Sequence, residues 1–163
     1  MNFKEKINNL GGIDFIQKSY SEILPSMISL PENVKEFILK YGFGIFNQNI
    51  VFNSIGKIQG AYEDNTVPFT IFYGLGEGVN SLSSVHEDLS DQIPKNYFVF
   101  AEANPGDQLC LNLNDNKIYL WLHDNGNFYL VAKSFEDFID RLTTSNHIVS
   151  DDDLEEEWFD DDF

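Results

Sequence analysis

The sequence predicts an α+β fold: a single domain with a mostly antiparallel sheet and helices packed mainly on one face of that sheet. Three observations support this prediction. The chain has 163 residues, the size of one domain, and no Pro-rich or Gly/Ser-rich linker divides it. Its second half contains segments in which apolar and polar residues alternate, as in strands that are half buried. Segments with helical spacing lie before and after those strands.

Four segments have the apolar spacing of helices. Before one of them, Ser29 and Glu32 have the spacing of a capping box, and Pro31 suits a first helical turn. Ser134, a residue type that caps helix N termini, precedes another. The apolar positions of the four segments are Phe3, Ile7 and Leu10; Val34, Phe37, Ile38 and Tyr41; Leu82, Val85 and Leu89; and Phe135, Phe138, Ile139 and Leu142.

Strands are predicted where β-favouring residues lie between turn signals, at 45–55, 69–73 and 97–101. The clearest pattern covers 108–123, where two alternating runs are joined by a polar turn and predict a hairpin with one leucine-rich face. A third antiparallel strand is predicted at 128–132. The leucine-rich face comprises Leu109, Leu111, Leu113, Ile118, Leu120 and Leu122.

The composition describes a globular protein with an aromatic core. Apolar residues make up 42% of the chain, and 15 residues are Phe. The one cysteine, Cys110, can form neither an internal disulfide nor a Cys-based zinc site. The sequence contains no secretory signal pattern and no run of about 20 apolar residues. We therefore expect a cytoplasmic protein without a membrane segment.

The net charge of −17 is the strongest compositional feature and is unevenly distributed. Residues 151–163 contain nine acids and no base, which leaves 18 acids against 10 bases, or −8, for residues 1–150. Proteins that bind nucleic acid directly need clustered Lys and Arg to displace counterions from phosphates. The charge therefore excludes broad nucleic-acid affinity and favours a basic protein as the partner.

Four ordered segments carry a family signature over residues 29–142. They are Leu30-Pro31 through Tyr41-Gly42; Phe69–Tyr73 with the Gly-rich bend after it; Phe100-Ala101 through Pro105-Gly106-Asp107 and the Leu109–Leu113 strand; and Ile118–Trp121 with His123-Asp124, followed by Ala132 and Ser134–Phe138. With these segments the chain resembles the SUKH superfamily, which includes a yeast cell-wall synthesis regulator and many bacterial toxin-immunity proteins.

The resemblance implies an α+β scaffold over residues 1–142 that binds a protein and is not an enzyme. In this family the partner is typically a polymorphic toxin, often a nuclease. We expect residues 143–163 to form an acidic, flexible tail. The resemblance also accounts for His123-Asp124 as part of a strand signature rather than as a general base.

No catalytic, cofactor or metal site is predicted. Adjacent helix positions point in different directions, so His86, Glu87 and Asp88 cannot easily converge on one ion and are interpreted as a solvated face. The Gly-rich segment 74–78 lacks the spacing and the Lys of a phosphate-binding loop. The enzymatic alternative is a small metal-dependent hydrolase that uses His86 or His123.

The leading hypothesis is an immunity protein that neutralises a basic toxin, with a nuclease as the expected toxin class, through acidic loops and helix faces. A regulatory adaptor for protein–protein interactions is the alternative. Tail aromatics surrounded by acids suit a docking element for a basic surface, and the favoured alternative is a tail that only keeps the protein in solution. The candidate contacts are Glu63, Asp64, Glu77, Glu87, Asp88, Asp91, Trp158 and Phe159.

Overall fold

A five-stranded antiparallel sheet forms the centre of the molecule, in a computed structural model that describes residues 3–13, 23–41, 44–76 and 78–145. The described helices and strands, in chain order, are α1 (Phe3–Asn9), β1 (Gly12–Ile13), a 3₁₀ turn (Pro25–Met27), α2 (Glu32–Tyr41), β2 (Ile45–Phe46), β3 (Ile50–Asn53), β4 (Thr66–Phe69), β5 (Ile71–Phe72), α3 (Leu82–Asp88), β6 (Tyr97–Glu102), β7 (Gln108–Asn112), β8 (Ile118–Trp121), β9 (Phe128–Ala132), α4 (Phe135–Arg141) and β10 (Leu142–Thr144).

The central sheet has the strand order β5-β6-β7-β8-β9, and each neighbouring pair is antiparallel. Leu109 pairs with Leu120 and Leu111 with Ile118, so these side chains share one face of the predicted hairpin. A register shift between Val99 and Ala101 places one extra residue in β6. The predicted α+β class with a mostly antiparallel sheet is confirmed.

The helices pack on the leucine-bearing face through aromatic side chains. Phe100 lies 5.5 Å from both Phe135 and Phe138 of α4, measured between ring centroids. Phe37 of α2 lies 5.1 Å from Phe72, which pairs through Ala101 with the same face of the sheet. The abundant phenylalanines therefore form the core between the sheet and its helices, as the composition predicted.

Strands β10, β3 and β4 form a second sheet, of three strands in that order. The segment after β3 contacts β9, the edge strand of the central sheet. Beyond β3, the N–H groups of Ile55 and Gly56 donate to the carbonyl oxygens of Val131 and Leu130 in β9, at 3.0 and 2.9 Å. A Cβ atom at Gly56 would lie 3.0 Å from the Leu130 oxygen, so glycine permits this close approach.

Three local predictions are corrected. The single strand predicted at 69–73 is two strands in different sheets, because the chain changes sheet at Thr70, whose N–H donates to the Glu102 carbonyl oxygen at 2.9 Å. Pro31 was predicted in the first turn of a helix, but helix α2 begins one residue later, at Glu32. The Pro31 carbonyl oxygen accepts hydrogen bonds from that first turn. The second face of the hairpin is also largely buried, at Gln108, Cys110 and Trp121, although Tyr119 on that face stays partly exposed.

Strand β10 pairs with β3 and extends to Thr144, two residues past the predicted end of the domain.

Within the described parts of the chain, no helix has the length and apolar content needed to cross a membrane. The Ser134 cap is confirmed, since its side chain accepts a hydrogen bond from the Asp137 N–H.

Candidate protein-binding surface

The face of the central sheet opposite the helices carries three partly exposed aromatic side chains. Tyr97 and Phe128 stack with their ring centroids 3.9 Å apart, and Tyr119 meets Tyr97 edge-on at 5.8 Å. Such contacts hold aromatic rings in fixed positions, as in the anchor residues of protein interfaces. We call Tyr97, Tyr119 and Phe128 the aromatic surface.

The polar groups on this face differ in their partners and burial. The Tyr119 hydroxyl donates to Asp115 Oδ2 at 2.7 Å, and this hydrogen bond, with burial, raises the pKa of Tyr119 to about 12. Trp121 is 3% exposed, and its Nε1 has no hydrogen-bond partner among the described residues. Cys110 is fully buried, and burial raises the pKa of its thiol, which makes the thiol unreactive.

A groove of about 410 Å³ adjoins the aromatic surface at Tyr97, which lines both. It lies between the end of α3, the 3₁₀ turn and the outer part of β6. We call it the α3 groove. Its apolar wall includes Leu89, Ile93 and Leu113, and the exposed residues Ser26, Ser29 and Ser90 also line it.

His86 is half-buried in this region, which corrects the expectation that it lies largely outside. Its Nε2 is 2.8 Å from the Val99 carbonyl oxygen, and its ring meets Phe98 edge-on at 4.7 Å. Burial lowers the pKa of His86, which favours the neutral ring donating Nε2–H to that oxygen. Strand β5 pairs with Ala101 and Glu102 of β6, and the Tyr73 N–H donates to the Phe100 carbonyl oxygen at 3.0 Å. His86 covers the next carbonyl oxygen along β6, that of Val99.

The acids beside His86 are exposed, as the solvated-face interpretation predicted. Glu87 and Asp88 complete α3, and Asp91 follows in the next turn. Among the described residues, no three His, Cys, Asp or Glu side chains form a group that could hold a metal ion. These carboxylates are therefore positioned as charged surface groups at the α3 groove.

His123 contacts two carboxylates at the end of β8. Its Nδ1 lies 2.6 Å from Asp107 Oδ1, and its Nε2 lies 3.1 Å from Asp124 Oδ1. The hydrogen bond to Asp107 is the main reason that the pKa of His123 is raised. Asp107 also accepts the His123 backbone N–H at 3.0 Å, so this buried carboxylate joins the β6–β7 turn to the end of β8.

The sequence identified Asp124 as the partner of His123 but not Asp107. Asp107 belongs to the predicted Pro105-Gly106-Asp107 turn, and only the pairing of β7 with β8 brings that turn beside His123. Gly106 has φ +88°, and a Cβ atom there would lie 2.9 Å from His123 Nδ1. The arrangement therefore depends on glycine at this position.

The remaining candidate contacts lie on separate elements. Glu63 and Asp64 are exposed in the loop before β4, which belongs to the three-stranded sheet rather than to the α3 region. Asp64 Oδ1 also accepts hydrogen bonds from the Thr66 N–H and hydroxyl, at 3.1 and 2.6 Å, and so shapes that loop. Glu77, Trp158 and Phe159 lie outside the described residues.

The aromatic surface was not identified from the sequence as a site. A signal was present, because Tyr119 and Trp121 alternate with the hairpin leucines and must point to the opposite face. The pairing of four strands was needed to bring Tyr97 and Phe128 together with Tyr119.

Comparison with known proteins places this fold in a family. The SMI1/KNR4 family (SUKH-1) matches residues 18–141. The SPbeta prophage-derived uncharacterized protein YokK of Bacillus subtilis (strain 168) is 29% identical over 125 residues, covering 68% of this chain. The alignment covers 65% of that relative's length, slightly less than two thirds. The family match runs from before the 3₁₀ turn to the end of α4, and the chain therefore belongs to the SMI1/KNR4 family (SUKH-1).

Proposed function

We propose that this protein is a non-enzymatic immunity protein that binds and neutralises a basic bacterial toxin, with a nuclease as the expected toxin class. Membership of the SMI1/KNR4 family supports this proposal at the level of the family. The mechanism is stoichiometric: the protein covers the surface with which the toxin binds its substrate. A nuclease needs Lys and Arg on that surface to bind phosphates, so an acidic partner complements it.

The observation that carries the proposal is the aromatic surface next to the acidic end of α3. Tyr and other aromatic residues in fixed positions are enriched among the side chains that dominate binding energies. Tyr97 joins this surface to the α3 groove, whose neighbours Glu87, Asp88 and Asp91 are exposed acids. Aromatic anchors flanked by carboxylates suit a partner that presents Arg and Lys.

The contacts of the two described histidines support a binding role over the hydrolase alternative. Nε2 of His86 is occupied by a backbone carbonyl, and both ring nitrogens of His123 are occupied by carboxylates. A general base needs a free nitrogen within reach of a substrate proton. His123 offers none without first breaking a hydrogen bond to a carboxylate, and His86 offers only Nδ1. A metal-dependent hydrolase also needs metal ligands, and the described residues form no group of three His, Cys, Asp or Glu side chains that could supply them.

Co-expression tests the proposed function. The reading frame adjacent to this gene is expressed in a bacterial host with and without this protein, and survival is measured together with co-purification of the two products. We expect a toxic neighbour whose effect is abolished through a stable complex. A neighbour that is harmless, or equally toxic in both strains, contradicts the immunity role.

Charge reversal on α3 tests which surface binds the toxin. Three exposed acids near the groove are changed to Lys. A control changes three exposed acids on α2 and α4 to Lys, so that the net charge of the two variants is the same. We expect the first variant to lose protection and the control to keep it. Equal loss in both would show that only the total charge matters. The test variant is Glu87→Lys, Asp88→Lys and Asp91→Lys, and the control is Glu36→Lys, Glu136→Lys and Asp140→Lys.

A further inference from the structure

We infer that the α3 groove is an anchor site that receives an apolar side chain of the partner, flanked in the partner's sequence by Arg or Lys. This inference rests on the proposed function for the identity of the partner, and it adds where and how the partner is held. The occupant is one short segment of the basic protein rather than a free small molecule.

The groove has the shape and lining of a pocket for a side chain. Its volume of about 410 Å³ exceeds that of one large apolar side chain, and its wall is formed by Leu89, Ile93 and Leu113. Burying such a side chain contributes about 1.5–3 kcal/mol of transfer free energy. The apolar wall therefore selects Leu, Ile, Met or an aromatic residue as the anchor.

Hydrogen bonds hold the wall in position before any partner arrives. The Leu113 N–H donates to the Asn96 carbonyl oxygen at 2.7 Å, and the Ile93 N–H donates to the Leu89 carbonyl oxygen at 3.0 Å. His86, which also lines the groove, is fixed by its bond to Val99. A pocket formed in advance loses less conformational entropy when it is filled.

The charge around the groove determines the residues that flank the anchor. Glu87, Asp88 and Asp91 each lie next to a lining residue in the chain and are exposed, whereas Lys95 is the one base between positions 86 and 95. Three acids against one base leave a charge of −2 on this segment. An apolar anchor with basic neighbours is therefore favoured over the same anchor with acidic neighbours.

The groove continues into the aromatic surface through Tyr97, which lines the groove and stacks on Phe128. A segment seated in the groove can therefore extend across Tyr97 and place a cationic side chain against the partly exposed rings of Tyr97 and Tyr119. The two features form one continuous binding surface rather than two separate sites.

A peptide titration tests the groove without the toxin. The probe is a short synthetic peptide with one Leu between two Arg residues, added to the isotope-labelled full-length protein and followed by amide NMR. We expect saturable shifts at Leu89 and Leu113 with a Kd on the order of 1 mM. Replacing Arg by Glu, or Leu by Ser, in the peptide is expected to weaken binding by about tenfold.

Filling the groove supplies the matched control. Ser90→Trp places a bulky ring at the rim, while Ser83→Trp places the same ring on an exposed position of α3 that does not line the groove. We expect Ser90→Trp to abolish the peptide shifts and Ser83→Trp to preserve them. Shifts that are absent in the wild type, or that persist in Ser90→Trp, refute the anchor site.

The same variants separate the failure of this inference from the failure of the proposed function. If the wild type and Ser90→Trp protect equally against the adjacent toxin, the immunity role stands and the groove is not its anchor. The opposite outcome is that no adjacent toxin is neutralised, while the peptide binds the wild type and Ser83→Trp but not Ser90→Trp. In that case the immunity role fails and the groove still binds a basic apolar segment.

Discussion

His86 and His123 show how the role of a single residue depends on what its ring nitrogens contact. His86 is held against Phe98 and Val99, and burial lowers its pKa. His123 is 48% exposed and lies between two carboxylates, and its pKa is raised. The same residue type is therefore neutral at one position and more readily protonated at the other.

We expect this difference to appear in an NMR titration of the imidazole groups, with His123 titrating above the ordinary value of 6.5 and His86 below it. Because the folded pKa of His123 is raised, its contribution to stability is fully present below 6.5 and is lost as pH rises through the folded value. The stability difference between wild type and His123→Asn, measured by urea unfolding, should therefore shrink with rising pH. A difference that grows with pH would contradict the assignment.

Substitution of Gly106 tests its close contact with the His123 ring, and Gly60 is the control position. Both have positive φ, +88° and +85°, so an alanine at either position costs about 1–2 kcal/mol of backbone strain. Only at Gly106 would the new Cβ also meet the His123 ring, since nothing lies within 4 Å at Gly60. We expect Gly106→Ala to lower the free energy of unfolding more than Gly60→Ala, and equal losses would argue against the tight contact with His123.

At the scale of elements, the two faces of the central sheet serve different purposes. The inner face packs against α4, where Phe138 is fully buried and contacts Phe52 and Phe100. The outer face carries Phe128, which is partly exposed and stacks on Tyr97. The inner face is therefore closed core, whereas on the outer face Tyr97, Tyr119 and Phe128 remain partly exposed.

Alanine substitutions should separate these roles. Phe138→Ala should cost about 3–5 kcal/mol in the free energy of unfolding, because it removes a ring from a closely packed core. Phe128→Ala should cost less, because part of its ring already contacts water, yet it should weaken toxin binding more. Denaturant unfolding and binding to the toxin are measured for both variants. If Phe128→Ala proves as destabilising as Phe138→Ala, the outer face also belongs to the core.

At the scale of the whole molecule, charge is divided between the folded part and the C-terminal residues. Nine of the 27 acids lie in 151–163, so truncation after Ser145 changes the net charge from −17 to −8. The last described strand ends at Thr144, and its three residues pair with β3. The truncation therefore leaves every described element in place.

We expect the truncated protein to unfold at the same denaturant concentration as the full chain. Its association with a basic toxin should still slow as salt rises, because the remaining charge is acidic, but with a weaker salt dependence. Stopped-flow association at several salt concentrations measures this. Complete loss of protection on truncation would instead identify the tail, with Trp158 and Phe159, as the principal docking element.

The sequence predicted most elements because each follows from local rules. Period-two alternation identified β7 and β8, helical spacing identified α2, α3 and α4, and Ser134 marked the start of α4. The sequence did not predict the break at Thr70, where one β-favouring run contributes a strand to each of two sheets. Local preference specifies an extended chain but does not specify which neighbour pairs with it.

The sequence by itself determined the fold class, the aromatic core, the acidic character and the family signature, because composition and periodicity are properties of the chain alone. Only the tertiary structure decided the site. Tyr97, Tyr119 and Phe128 lie on three strands, and the α3 groove joins residues from 25 to 113. These groups meet because strand pairing and helix packing bring distant segments together, and spacing along the chain carries no direct record of those contacts.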